Sequence, residues 1–293
     1  MKKILKCAVC LKKDFSLFVE TKDYFFTNES FSLEKCNACG FVFTNPLPLK
    51  ENLGKYYETE EYLSHDSNKR GIIKNIYKIV REINLKNKYG IISRYMHSGK
   101  ILDIGSGTGE FLNYFKNKGW KTIGIEPNQE AREFAVNNYQ LSVVDEKELD
   151  LVENNSQNVV TMWHVLEHVY DLDERMETLH RILKKDGILV VALPMIDSPD
   201  SIKFGKYWSG LDVPRHLYHF SSSTFELLAK RYKFNIIDKL PMKFDSLYVS
   251  WLSHKAKKSK LSFLRGIFDG IISNMYANKS SNYSSMIFVM KKV

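Results

Sequence analysis

Residues 161–169 read TMWHVLEHV, an apolar strand pattern that closes on His164, Glu167 and His168. The three stand three and four positions apart, so a helical turn there would project them from one face. Three chemistries are open to such a group: a divalent metal site, a proton acceptor, or the lining of a cofactor pocket. A second group lies in DVPRHLYHFSSSTFELL (212–228), where Arg215, His216, Tyr218 and His219 run into an amphipathic helix pattern beginning near Ser222. An imidazole titrates near neutrality, which suits His219 or His216 to take a proton from a hydroxyl or an activated carbon. The plainer alternative is that both only cap the helix. Arg215 suits a substrate phosphate or carboxylate, or simply a neighbouring acid.

The four cysteines of the chain, Cys7, Cys10, Cys36 and Cys39, form two CxxC knuckles. Two knuckles offer four thiolates to one tetrahedral zinc ion and leave no position open for substrate, so the metal would be structural. Four unligated cysteines are the alternative. The residues between the knuckles, with FSLFVE and DYFFT among them, suit a β-hairpin, and Gly40 suits the tight turn that follows. No apolar run reaches the length of about 18 residues that a membrane span needs. The basic start MKKILKCAVCLKKD has too short an apolar stretch for a secretory signal. The expectation is a cytoplasmic protein, where a disulfide framework would not persist.

A third stretch, ILDIGSGTGEF (101–111), ends a buried strand at Asp103 and opens a helix through Gly105, Gly107 and Gly109. Glycines there let the backbone turn sharply and come close to a ligand. A dinucleotide fingerprint would need glycine where Glu110 stands, and a P-loop would need Lys-Ser or Lys-Thr after the glycines. Glu126 in GIEPN, ending the next strand, can accept hydrogen bonds from both hydroxyls of a ribose. Asp145, ending the third strand, is placed for an adenine edge.

These groups need a scaffold, and the pattern supplies one. With 293 residues and 44% hydrophobic content, the chain can build one large core and a smaller module. TNPLP (44–48) marks a boundary after the cysteine module. Residues 49–97 look helical, with Ile72, Ile73, Ile76, Ile79, Val80 and Ile83 at helical spacing toward a core. From Lys100 strands and helices alternate: KILDIG, WKTIGIE, LSVVD, NVVTMW and ILVVALP as strands, EFLNYFKNKG and NQEAREFAVNNY as helices. Asp171 and Glu174 would box the start of a further helix, and Gly187 would end it. FNIIDKL and SSMIFVMKK add two strands around a helical insertion near 245–280. Alternation of this kind predicts a doubly wound α/β sheet with ligands at the carboxyl ends of its strands.

Charge narrows the partners. Of the formal +9, residues 254–293 hold eight Lys or Arg against one acid, Asp269, while the other residues hold 35 basic and 33 acidic groups. A nearly neutral body argues against general nucleic-acid binding. In HKAKKSKLSFLRGIFDGIISNMY, Leu261, Leu264, Ile267, Phe268, Ile271 and Ile272 fall near helical spacing behind a lysine run. The expectation is a packed lid with a solvated charge run; contact with an anionic membrane surface through 255–275 is the alternative.

DIGSGTG, IEPN and WHVLEHV, in that order, resemble the class I S-adenosylmethionine-dependent methyltransferases, with the resemblance covering roughly residues 100–240. It implies a Rossmann-like seven-stranded sheet whose last strand is antiparallel. Asp103 and the loop of Gly105, Gly107 and Gly109 would hold the methionine end, Glu126 and Pro127 the ribose, and Asp145 the adenine. Trp163 and His164 would line the cofactor from the fourth strand. Quinone-biosynthesis O-methyltransferases, similar over WHVLEHV, carry a Glu-x-x-Glu-His metal site there; His164 replaces the first glutamate, so cofactor lining is favoured. The cysteine module followed by CGFVFTNP looks like a bacterial branch of sugar-modifying enzymes. YHFS is similar to the sugar C-methyltransferase segment that holds a general-base histidine, which implies that role for His219; His216 falls where that family has tyrosine. The organisation expected is a zinc ribbon over 1–48, a helical linker or lid over 49–97, and the methyltransferase domain over 98–293. The acceptor would be a small molecule or glycan. An RNA base methyltransferase gripping nucleic acid with the ribbon is a rival without an Asn-Pro-Pro-aromatic motif to support it. A non-catalytic cofactor-binding scaffold is the other.

Overall fold

The structure is a computed structural model that describes residues 1–57 and 72–293; expectations that fall on 58–71, among them most of YYETEEYLSH, lie outside the described residues. Its centre is a seven-stranded sheet built from β4 (Lys100–Ile104), β5 (Lys121–Ile125), β6 (Val143–Val144), β7 (Gln157–Trp163), β8 (Leu183–Pro194), β10 (Phe234–Pro241) and β11 (Ser285–Lys292). The order is β10-β11-β8-β7-β4-β5-β6. β4 through β8 run parallel, while β11 lies antiparallel to both β8 and β10. The order reverses between β4 and β7, and the carboxyl ends of those two strands carry Asp103 and Trp163. An open α/β sheet binds its ligand at such a switch point.

Sequence explains the layering. β8 is flanked by strands on both sides and by helices on both faces, and Ile188 through Leu193 are fully buried. Each such aliphatic side chain contributes about 1.5–3 kcal/mol of transfer free energy. That is why this strand reads as a continuous apolar run rather than an alternation. The helices are α1 (Ile72–Ser93), α2 (Glu110–Lys116), α3 (Gln129–Tyr139), α4 (Leu172–Ile182), α5 (Pro199–Phe204) and α6 (Ser222–Arg231). α4 begins where Asp171 accepts from the Glu174 backbone N–H at 3.0 Å. It ends at Ile182 and the chain passes directly into β8. Gly187 is therefore a strand residue, not a helix stop. A Cβ there would lie 2.9 Å from the Asn158 carbonyl oxygen, so the glycine lets β8 approach β7. In the C-terminal half of α1 Ile92 is fully buried, Leu85 and Tyr89 pack beside it and Ile83 is exposed; the expectation on Ile72, Ile73, Ile76 and Ile79 falls on side chains outside those described.

A second sheet joins the N-terminal module to the larger domain. β1 (Phe15–Lys22) and β2 (Ser30–Cys36) form the expected hairpin between the knuckles, with DYFFT at its turn. β2 pairs with β3 (Val42–Thr44), and β3 pairs with β9 (Tyr218–His219), which comes from the larger domain. Phe41, Phe43, Tyr218 and Phe220 fill the seam.

Near the C-terminus α7 (Asp245–Ala256) and α8 (Ser262–Ser280) form a hairpin of helices. Small residues make their contact: a Cβ on Gly266 would fall 2.3 Å from the Trp251 Cα, and one on Gly270 2.6 Å from the Leu247 Cα. Close approach of the helix backbones turns the large apolar residues outward, against the expectation of a packed lid. Leu264, Phe268, Ile271 and Met275 are 50–64% exposed. Among the described residues no helix is long and apolar enough to cross a membrane.

Candidate active site

The glycine loop leaves β4 with three residues in the left-handed region, Gly105 at φ 75°, Gly107 at φ 53° and Gly109 at φ 84°. Two of them make room for protein: a Cβ on Gly105 would lie 2.4 Å from Val165, and one on Gly109 2.7 Å from Leu141. Gly107 faces open space. The loop is therefore tight against the fold on its flanks and free at its middle, as a ligand cradle requires.

Glu126 closes that cradle from β5. One carboxylate oxygen accepts from the Gly107 N–H at 2.8 Å and the other from the Asn128 N–H at 2.9 Å. Each oxygen keeps lone-pair capacity for a further donor. Asp103 is 2% exposed and accepts from Thr161 Oγ1 at 2.6 Å. Burial pushes its carboxyl up to about 7, with the Thr161 hydrogen bond and the Lys88 ammonium opposing. Ser106 Oγ is buried without a hydrogen-bond partner among the described residues. A diol-bearing, cationic ligand fits this set: two acids, an orphaned hydroxyl and an open glycine. Pro127 follows Glu126 on the rim, and its carbonyl accepts from Arg132 at 2.7 Å. Asp145 follows β6, caps the Lys147 N–H at 3.2 Å and pairs with Arg132 at 3.1 Å.

At the end of β7, Trp163 packs edge-on to Phe111 at 5.6 Å, with the Lys88 ammonium 4.1 Å from its ring centre. His164 turns out of the strand at φ 56°. Its Nε2 lies 3.0 Å from Asp245 of α7 and its Nδ1 3.5 Å from Glu167. Burial works against charging this ring, but the two carboxylates prevail and raise it to about 10. His164 is therefore an imidazolium held between acids rather than a base. Lys88 and Asp245 are site residues that the sequence pattern did not single out. Neither sits in a motif, and each reaches the site from a helix remote in sequence.

His219 and His216, three residues apart, meet different fates. His219 lies in β9, is 2% exposed and places Nε2 at 3.3 Å from Thr44 Oγ1. Thr44 gives its own proton to the His216 carbonyl at 3.0 Å, so His219 donates to Thr44. Burial, helped by nearby His216, pushes His219 down to about 3. The near-neutral imidazole expected at this position is not found, because the cysteine module covers the ring. His216 lies instead beside Glu167, with 3.9 Å between Nε2 and the carboxylate, and its ring stands 4.6 Å from that of His168. Neither histidine caps α6; Ser221 does, by a capping box with Thr224. Arg215, 2% exposed, pairs with Asp212 at 2.6 Å and with Asp23 of the N-terminal module at 3.2 Å. Of its two expected partners it has the neighbouring acids.

In the N-terminal module the four cysteine sulfurs all lie within 4.8 Å of one another. Cys7 and Cys39 are 3.6 Å apart, and Cys10 and Cys36 3.5 Å. Tetrahedral zinc at about 2.3 Å from each sulfur would set these separations at about 3.8 Å. The donor set fits that ion.

The sheet order, the glycine cradle at its switch point and the acid ending β5 define a nucleoside-cofactor-binding α/β fold of the methyltransferase type. A family model for the methyltransferase domain matches residues 66–239, and the chain belongs to that family. An uncharacterized methyltransferase of Alkaliphilus oremlandii (strain OhILAs) is 29% identical over 107 residues, 35% of this chain and 49% of the relative. The matched part of the chain thus spans about half the length of that relative. Among solved structures, geranyl diphosphate C-methyltransferase from Streptomyces coelicolor A3(2), in complex with Mg2+, geranyl diphosphate and S-adenosyl-L-homocysteine, superposes with a TM-score of 0.54. The identity is 12%, over 80% of this chain and 87% of that one. The [4+2]-cyclase SpnF superposes with a TM-score of 0.50 at 16% identity, over 70% of this chain and 80% of that one. One fold thus carries different reactions, and the acceptor must be argued from the site.

Proposed function

We propose that the protein transfers a methyl group from S-adenosylmethionine to a small, hydroxyl-rich acceptor of the sugar or glycan type. The observation that carries this reading is the cradle formed by Asp103, the open Gly107 and Glu126. S-adenosylmethionine supplies the activated methyl group, so the chain has to bind, orient and remove a proton. Asp103 would receive the ammonium of the methionine end, Glu126 beside Pro127 the ribose hydroxyls, and Asp145 the adenine. Trp163 would wall the cofactor, with His164 fixed behind it by Asp245. We place proton removal at the Glu167, His168 and His216 group rather than at His219, whose ring is sequestered by β3. Four cysteine ligands would hold a structural zinc, which fixes the module that covers His219.

The same reading gives the outward face of α8 a partner. Phe268, Ile271 and Met275 are exposed on α8, and Lys255, Lys257, Lys258 and Lys260 precede that helix in the sequence. An exposed apolar ridge that follows a lysine run suits an anionic lipid surface, where a lipid-linked glycan would be presented. Isotopically labelled S-adenosylmethionine, incubated with the protein and a panel of nucleotide sugars and lipid-linked saccharides, tests the proposal. Label transfer to a saccharide supports it. Transfer only to RNA, or binding of the cofactor without transfer to any acceptor class, would overturn it.

A further inference from the structure

The short turn after β7, Leu166–His168, buries a carboxylate that the methyltransferase cradle does not use. Glu167 is 0% exposed, and neither of its oxygens has a hydrogen-bond partner among the described residues. The His164 imidazolium stands 3.5 Å away and divides its charge between Glu167 and Asp245, which lies 3.0 Å from its other nitrogen. A carboxylate withdrawn from water in this way costs several kcal/mol unless something answers its charge.

Backbone carbonyls hold one nitrogen of each imidazole facing it, with the Tyr57 hydroxyl also 3.1 Å from that of His168. His168 Nδ1 lies 3.0 Å from the Arg215 carbonyl oxygen, and His216 Nδ1 lies 2.9 Å from the Gly210 carbonyl oxygen. A carbonyl can only accept, so in both rings Nδ1 carries the proton. In a neutral ring that leaves Nε2 as a bare lone pair. With those tautomers the cluster offers two imidazole nitrogens and a carboxylate oxygen as donors to a cation. A backbone carbonyl on Nδ1 is also the outer contact that orients metal-binding histidines.

We propose that Glu167, His168 and His216 bind a divalent transition-metal cation, at a site separate from the four cysteines. One ligand atom from each of the three lies within 4.8 Å of the others, and His216 Nε2 is 3.9 Å from Glu167. Metal–ligand bonds of about 2.0–2.2 Å need these atoms about 3.0–3.5 Å apart, an inward shift the side chains can make. Two imidazoles and one carboxylate leave coordination positions open, and they suit zinc, manganese or iron rather than magnesium. His164, though adjacent in the motif, is not in the set because Asp245 holds its Nε2. The inference deepens the proposed function: with the three side chains as its ligands, the metal would acidify an acceptor hydroxyl, whose proton then passes to solvent. Its test does not depend on methyl transfer.

Protein produced in cobalt-supplemented medium should hold two cobalt ions per chain. The cysteine site gives thiolate-to-cobalt charge-transfer absorption, whereas a nitrogen and oxygen site gives only weaker visible bands. His216→Gln and, separately, Glu167→Gln should each lose one cobalt equivalent and keep the thiolate absorption, which also reports that the N-terminal module is folded. His164→Gln should keep both equivalents. A wild-type protein with one cobalt and only thiolate bands would overturn the proposal and mean that a proton answers the Glu167 charge. So would two equivalents retained in both the His216 and Glu167 variants.

Discussion

Acidification should weaken cofactor binding, and Asp103 sets the size of the effect. Its carboxyl is buried at the end of β4, and that burial lifts it to about 7. A cationic ammonium delivered by the ligand needs the ionised form, so binding must expel a proton wherever Asp103 still holds one. Between pH 7.5 and 5.5 a group titrating near 7 lowers apparent affinity roughly 25-fold, about 1.9 kcal/mol. The sign is opposite for the free protein. In the unfolded chain the carboxyl ionises near 4, so apo stability falls as pH rises from there toward 7. Titration calorimetry with S-adenosylhomocysteine, repeated in buffers of different ionisation enthalpy, measures both terms. Near pH 6 about one proton should be released per ligand bound. Asp103→Asn should bind weakly at pH 7.5 and show little further loss at pH 5.5. Glu126, also raised by burial, pulls in the same direction, and Glu126→Gln separates its share. Wild-type affinity that is flat over this range, with no proton release, would refute the placement of Asp103 against the ligand's cation.

Four further outcomes are expected. Glu126→Ala should weaken S-adenosylhomocysteine by roughly 1.5–3 kcal/mol, the range for hydrogen bonds to a charged group, and unchanged affinity would dissociate the β5 acid from the ribose. Cys36→Ser should abolish the one zinc of the cysteine site by elemental analysis and lower the melting temperature, since β3 also supports β9; zinc-free wild-type protein would remove the idea. His219→Asn should cost about 1–2 kcal/mol of stability through the lost Thr44 contact yet preserve any neutral limb of the pH–rate profile, whereas loss of that limb would return the base to His219. Phe268→Ser should reduce sedimentation with phosphatidylglycerol vesicles and leave the negligible binding to phosphatidylcholine unchanged; a concentration-dependent dimer abolished by the same change would assign the ridge to a second copy.

How much of this was legible beforehand depends on whether a residue's role is set by its neighbours in sequence or by partners brought from afar. The β-α alternation, the glycine cradle and the two knuckles are local patterns, and the parallel strands announce themselves because burial on both faces demands unbroken apolar runs. Gly187 reads as a helix stop because a glycine that ends a helix and one that lets two strands close up look alike until the neighbour at Asn158 is known. The outward face of α8 was hidden for a similar reason: Gly266 and Gly270 decide which side packs, although the apolar spacing is the louder signal. The histidines make the point most sharply. Within RHLYHF the resemblance favours His219 as the base, yet β3 reaches across 175 positions of sequence to bond Thr44 to that ring and leaves His216 beside Glu167. The same pairing makes the cysteine module part of the site's wall. A metal lost from four cysteines should therefore be felt at the histidines, because the strand that sequesters His219 is held in register by the knuckle at Cys36.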